Sequence, residues 1–280
     1  MKSLLKSIPG MQFLVETNVW RSFRHHVALH LEPRKNSHFT GFMRSPTQFD
    51  ALSGPVIDFL LQDDKEIHLR VAVLGCSNGA EAHSVASVLC DRHPTLEFSV
   101  KGYDIDQQVI GKAQKGMYLS RDEVFNNRMI TREFVRSTFD DEGAYFRIKE
   151  SIKAHVSFSI ADVLDDNVAE KIEASDIIFA QNFLFHLKPS MAAKALDNIC
   201  RLLKQKSVLF IDGMDLPLRQ RLSRKHQLEP LDYKIEEIHN EARWARTVGW
   251  PYHYWGLEPF STSRRDWKRR YATIFLRSDV

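Results

Sequence analysis

The sequence predicts an α/β fold, a mostly parallel sheet with helices on both faces, and three observations carry that expectation. Short β-branched or apolar runs alternate with longer helical patterns from Asp50 to Phe210, the rhythm of strands joined by crossover helices. A Gly-rich turn follows the first run and an acidic residue closes the second, as in open α/β sheets that hold a nucleoside outside the carboxyl ends of their strands. The 280 residues, 43% hydrophobic and 27% charged, suffice for one large core and exclude disordered, collagen-like and disulfide-stapled classes.

Leu69 to Gly75 (LRVAVLG) reads as a buried first strand, and Glu81 to Cys90 as the helix packed back on it. Phe98 to Asp106 is the second strand, followed by a helix over Gln107 to Lys115. Val156 to Val163, Asp176 to Asn182 and Ser207 to Gly213 are the third, fourth and fifth strands. Between the last two, Ala193, Leu196, Ile199, Leu202 and Leu203 recur at helical spacing over Met191 to Leu203. Three segments fall outside this rhythm. Residues 1–50 read as a mildly basic helical segment, and 120–155 as a small antiparallel or helical insertion ending in YFRIKE. Residues 217–262 read as an amphipathic helix and an aromatic, Pro-containing loop, before RYATIFLR (Arg270 to Arg277) restores a strand. The expected division is an N-terminal helical segment over 1–50 and a main domain over 51–280.

A formal charge of +3 is too small to demand a nucleic-acid or anionic-membrane partner. The basic residues from Arg264 to Arg270 read as a solvated face, since no RNA-binding motif accompanies them. Cys76, Cys90 and Cys200 are too widely spaced for a disulfide framework or a paired metal motif. His26 and His30 have metal-capable spacing but no third ligand, so no metal is expected. No run approaches the roughly 18 apolar residues that span a bilayer, and the N-terminus lacks a signal-peptide core, so the default address is cytoplasmic. Trp244, Trp250, Trp255 and Trp267 interleave with basic residues near the C-terminus, as either a binding surface or a capping layer.

The chemistry concentrates in VLGCSNGAE, Val73 to Glu81. Gly75 and Gly79 let backbone approach a ligand closely, or serve a tight loop alone. Asp104, ending the second strand, is placed to accept both hydroxyls of a ribose. A dinucleotide calls for GxGxxG and free amides for its pyrophosphate, whereas this turn is GxxxG with Glu81 in the first helical turn. That acid suits ammonium and sulfonium charges, and S-adenosylmethionine carries both. Ser77 and Ile105 extend the set beside the turn and beside Asp104. Asp162, with Val163, is a candidate for the adenine or else a surface-loop acid, and Gln181 and Asn182 face the methionine part or the substrate, Asn182 otherwise being a turn residue.

The run GCSNGAEAHS, the strand end GYDID, QNFLFHL with its following helix, SVLFIDG, and TGFMRSPTQF upstream together resemble the CheR-type chemoreceptor glutamate methyltransferases. The resemblance spans Thr40 to Gly213. It implies a class I S-adenosylmethionine-dependent methyltransferase fold, with S-adenosylhomocysteine as product and methyl esters of glutamate as the family's reaction. It implies that Arg44, with Thr40 beside it, lies over the methyl donor and orients the acceptor. It places Glu81 at the donor's amino group, Asp104 at its ribose and Asp162 with Val163 at its adenine. Gln181, Asn182 and His186 fall on the family's RNxxIYF segment. Ala80 stands where the family has a second acid, and His186 at its aromatic position. A carboxylate acceptor is already ionised at neutral pH and needs no base, whereas a hydroxyl or amine calls for one, which His186 could supply. The expected acceptor is a protein carboxylate or a small acid. The alternatives are a small-molecule O- or N-methyltransferase with an aromatic lid over 217–262, and a non-catalytic S-adenosylmethionine sensor.

Overall fold

A computed structural model describes residues 17–31, 40–62, 68–119, 123–125, 129–244 and 256–278. In chain order the strands are β1 (Leu69–Leu74), β2 (Phe98–Asp104), β3 (Met117–Leu119), β4 (Phe139–Asp141) and β5 (Tyr145–Ile148), then β6 (Val156–Ile160), β7 (Ser175–Gln181), β8 (Leu203–Asp212), β9 (Glu229–Pro230) and β10 (Ile274–Arg277). Seven of them form one sheet in the order β6-β2-β1-β7-β8-β10-β9. The pairs among β6, β2, β1, β7 and β8 are parallel, and β10 runs antiparallel between β8 and β9. β1 and β7 lie at the centre and are buried almost throughout, which is why they read as continuous apolar runs rather than alternating ones. Strand order reverses between β1 and β7, so the crevice above their carboxyl ends is where such sheets bind ligands.

The helices are α1 (Asn18–Leu31), α2 (Pro46–Ala51), α3 (Ile57–Leu60), α4 (Ala80–Arg92), α5 (Gln107–Lys115), α6 (Arg132–Thr138), α7 (Glu150–Lys153), α8 (Val168–Lys171), α9 (Pro189–Leu202), α10 (Leu216–Lys225), α11 (Ile235–Trp244) and α12 (Trp267–Tyr271). A wide turn over Leu52–Val56 joins α2 to α3. The period of two along each strand sends alternate side chains to opposite faces. Val71, Val73, Phe179 and Phe210 pack with α2 and α4 on one face. Ala72, Leu74, Ile178 and Ile211 pack with α9 and α10 on the other.

Small residues line α4, with Ala80, Ala82, Ser84 and Ala86 all buried. The helix touches the sheet on one side and α6 and α7 on the other. Those two helices flank the small antiparallel sheet β3-β5-β4. This insertion begins at Met117, because Met117 to Leu119 pair with Arg147 to Tyr145. Phe42 and Phe49, which precede residue 50, pack into the same core as β1. The region after β8 holds α10 and α11 where one helix is expected. The strand expected over Arg270 to Arg277 is shortened to Ile274–Arg277, because Arg270 and Tyr271 turn into α12 and reach Glu258.

Candidate functional site

The first side of the cleft is the turn leaving β1. Gly75 and Ser77 both have left-handed backbones, at φ +65° and +49°, an uncommon conformation for Ser that points to local constraint. A Cβ on Gly75 would lie 2.9 Å from the Phe183 ring, so the turn passes tightly under Phe183. Gly79, four residues on, is not among the residues that line the cleft. Its φ is +86°, and a Cβ there would come within 2.8 Å of both Ala113 and Phe158, so this glycine serves the packing of α4 and α5 on the sheet.

Asp104 ends β2 beneath that turn. One carboxylate oxygen accepts from Ser77 N at 2.9 Å and the other from Asp106 N at 3.1 Å, which fixes the orientation of the group while each oxygen keeps further acceptor capacity. Asp106 in turn caps α5 through Gln108 N at 2.8 Å.

Glu81 sits in the first turn of α4 and is 8% exposed. Burial pushes its carboxyl up to about 7; Arg44 opposes that shift and Asp212 adds to it. Ser77, also on the cleft wall, has a buried hydroxyl with no hydrogen-bond partner. An acid whose ionisation burial opposes and an unsatisfied hydroxyl on the same cleft fit a ligand that brings a cation and polar atoms.

Arg44 arrives from before the first strand. Phe42 anchors its loop, wholly buried with edge-on contacts to Tyr118 at 4.8 Å and Phe139 at 5.0 Å between centroids. Met43 is left-handed at φ +46° and its N–H donates to Ser84 Oγ at 3.2 Å. Thr40 and Arg44 both line the cleft.

The far wall comes from the loops after β6 and β7. Asp162 lies two residues past the end of β6, where its carboxylate accepts from Leu164 N at 2.9 Å. Asn198 Nδ2 donates to Val163 O at 2.8 Å, pinning that turn to α9. Gln181 Nε2 donates to Gln48 Oε1 at 2.8 Å, and Asn182 adopts φ +61° with its N–H donating to Asp212 O at 2.9 Å. His186 ends a short 3-10 turn and lines the cleft, its ring centroid 3.9 Å from that of Phe185.

Of the residues expected at the donor site, all but Gly79 line this one cleft, Ile105 and Val163 included. Tyr103, Ala161, Phe183 and Leu187 also line it and are not evident from the sequence, because apolar residues at strand ends look like core. Their signal is adjacency: Tyr103 precedes Asp104, and Phe183 follows Asn182.

Several other candidates resolve differently. Cys76 is buried, and burial together with Asp104 and Glu81 holds its thiol well above the ordinary range, which makes it inert. Asp212 lies 3.9 Å from Arg219. The basic run near the C-terminus is ion-paired: Arg264 with Asp266, Arg269 with Glu229 and Arg270 with Glu258. Most of the aromatic stretch Trp250 to Phe260, and the side chains of Trp244, His26 and His30, lie outside the described residues. Phe260 and Trp267 are described and pack edge-on, 5.7 Å apart. Among the described residues no cluster of His, Cys, Asp and Glu could hold a metal, and no helix is long and apolar enough to cross a membrane.

The sheet order with its antiparallel β10, together with an acid-lined cleft above β1 and β2, defines the class I S-adenosylmethionine-dependent methyltransferase fold. Residues 38–227 match the family model for the CheR methyltransferase, SAM binding domain, and the chain belongs to that family; its cofactor is S-adenosylmethionine. The chain is 31% identical over 186 residues to the probable biofilm formation methyltransferase WspC of Pseudomonas putida, a match covering 65% of this chain and 42% of that protein. It is 25% identical over 201 residues to a chemotaxis protein methyltransferase of Listeria innocua, covering 72% of this chain and 70% of that one. The chain thus spans less than half the length of the first relative. The crystal structure of the N-methyltransferase NodS from Bradyrhizobium japonicum shares 14% identity, covers 74% of this chain and 88% of its own, and superposes with a TM-score of 0.39.

Proposed function

We propose that this chain methylates a carboxylate side chain of a protein, using S-adenosylmethionine as donor. The observation that carries the reading is a single cleft in which buried Glu81, the orphaned Ser77 hydroxyl, the doubly tethered Asp104 and the cationic Arg44 converge.

In this reading Glu81 holds the donor's amino group and is drawn to its ionised form by it. Asp104 takes the ribose hydroxyls. Asp162 receives the adenine amino group, while Val163, Tyr103 and Leu187 enclose the ring. When bound, the donor supplies an electrophilic methyl on a sulfonium centre. The chain then has to align a nucleophile with that methyl and exclude water. Arg44 lies over the donor in this reading, and presents a planar set of N–H groups suited to gripping the acceptor carboxylate as well. A carboxylate acceptor is ionised at neutral pH and asks for no base. The names of the chemotaxis relatives support a protein as the bearer of that carboxylate.

The test is the alkali lability of the product. Protein incubated with methyl-labelled donor and candidate acceptors is expected to yield label that mild alkali releases as methanol. His186 on the cleft wall favours a second reading, an acceptor hydroxyl or amine whose proton the imidazole removes. Alkali-stable label, lost together with its rise near neutral pH in His186→Ala, would replace the first reading by the second.

A further inference from the structure

The helix that follows Arg44 has no cap of its own. α2 opens at Pro46, and Ser45 at its N-cap makes no side-chain hydrogen bond to the helix backbone, which leaves first-turn donors to be satisfied from elsewhere. Glu241 on α11 satisfies them. One of its oxygens accepts from Ser45 Oγ at 2.8 Å and Thr47 N at 3.1 Å, and the other accepts from Thr47 Oγ1. Glu241 lies beyond the segment matched by the family model.

The same short helix is bolted at a second point. Gln48, 3% exposed, accepts from Gln181 Nε2 at 2.8 Å and donates from its own Nε2 to Thr273 Oγ1 at 2.7 Å. Gln181 belongs to the cleft wall and Thr273 leads into β10. Arg44 is therefore suspended between two fixed points, the buried Phe42 on one side and the Glu241 contacts on the other. Between them the backbone passes through the left-handed Met43, a conformation that relaxes unless its surroundings hold it. Met43 N–H is itself held by Ser84 Oγ at 3.2 Å, and the Glu241 carboxylate, accepting three bonds from Ser45 and Thr47, fixes the chain on the far side of Arg44 without being one of the residues that line the cleft.

We propose that Glu241 is a positioning residue, which sets the posture of Arg44 and so makes the segment after β8 a working part of the donor site. The proposal rests on the reading of the cleft as an S-adenosylmethionine site. Its test is a double-mutant cycle read by S-adenosylhomocysteine binding in calorimetry, with thermal unfolding followed in parallel. Glu241→Ala is expected to weaken binding about tenfold, and Glu241→Gln, which keeps one acceptor oxygen, to recover part of the loss. In an Arg44→Ala background, Glu241→Ala is expected to add less than about twofold, because its effect runs through the missing guanidinium.

A folded Glu241→Ala protein with unchanged affinity overturns the proposal, and so do effects that simply add in the cycle. In either case binding by the parent protein leaves the donor reading standing. No binding by the parent protein overturns both. Should Glu241→Ala fail to fold, Thr47→Val removes one of the three bonds and takes its place in the cycle, where unchanged affinity or simple additivity again overturns the proposal.

Discussion

Burial raises the Glu81 carboxyl from 4.5 to about 7; Arg44 only partly offsets this, and Asp212 adds to it. An ammonium brought beside it favours the carboxylate, so donor binding is coupled to loss of a proton. Affinity for S-adenosylhomocysteine is expected to rise as pH passes upward through about 7 and, one unit below that point, to be roughly tenfold weaker than on the alkaline plateau. Calorimetry in two buffers of different ionisation heat would reveal the released proton, and Glu81→Gln should abolish it. Heats independent of buffer would remove Glu81 from the amino-group role. Asp104 carries a separate expectation. With both oxygens already tethered, it presents a fixed acceptor, and Asp104→Ala should weaken binding ten- to a hundredfold, about 1.4 to 2.8 kcal/mol. An unaltered dissociation constant would dismiss it from the site.

Among the elements, the turn from β1 into α4 is the most constrained. Gly79→Ala adds a left-handed alanine, which costs about 1 to 2 kcal/mol, and drives its methyl toward Ala113 and Phe158, an overpacking worth about 1 to 3 kcal/mol more. The variant should unfold several degrees lower, while losing donor affinity only in proportion to lost fold. A selective loss of affinity at unchanged melting temperature would return Gly79 to the cleft. This residue also marks a limit of what the chain reveals: GxxxG announces two glycines, but which one meets a ligand depends on Phe158, far along the chain. The parallel strands were legible because burial on both faces leaves them apolar. The small sheet was legible only in outline, since β3 and β4 are three residues each and β4 is exposed at Asp140 and Asp141. The polar half of the cleft stood out through acids and glycines at strand ends. Its apolar half, Tyr103 and Phe183 among them, carries no polar signature. Glu241 gave no sign either, because an acid on an amphipathic helix looks solvated until α2 is set against it.

Across the whole molecule, two buried groups give stability opposite dependences on pH. His83 is fully buried, donates through Nε2 to Ala113 O at 3.3 Å, and is held by burial down to about 4. Its stabilising contribution is complete above its ordinary value of 6.5 and is lost as pH falls toward 4. Glu81 does the reverse in the ligand-free protein: with its pKa raised from 4.5 to about 7, it contributes stability below 4.5 that disappears as pH rises through 7. Between about pH 4.5 and 6.5 the two slopes oppose each other and the midpoint of unfolding should change little. Glu81→Gln should make the ligand-free protein more stable at pH 8 by about 3 kcal/mol and expose the uncompensated acid slope of His83. A destabilised Glu81→Gln at pH 8 would mean that the carboxylate is already well served by Arg44. The contacts of Glu241 with Thr47, 194 residues apart in the chain, bear on biosynthesis as well. A nascent polypeptide emerging from the ribosome can shape β1 and its glycine turn early, yet the arginine loop stays unfastened until α11 has been translated. Products that end before α11 therefore lack the fastening, and are expected to hold the donor more weakly than the full chain does.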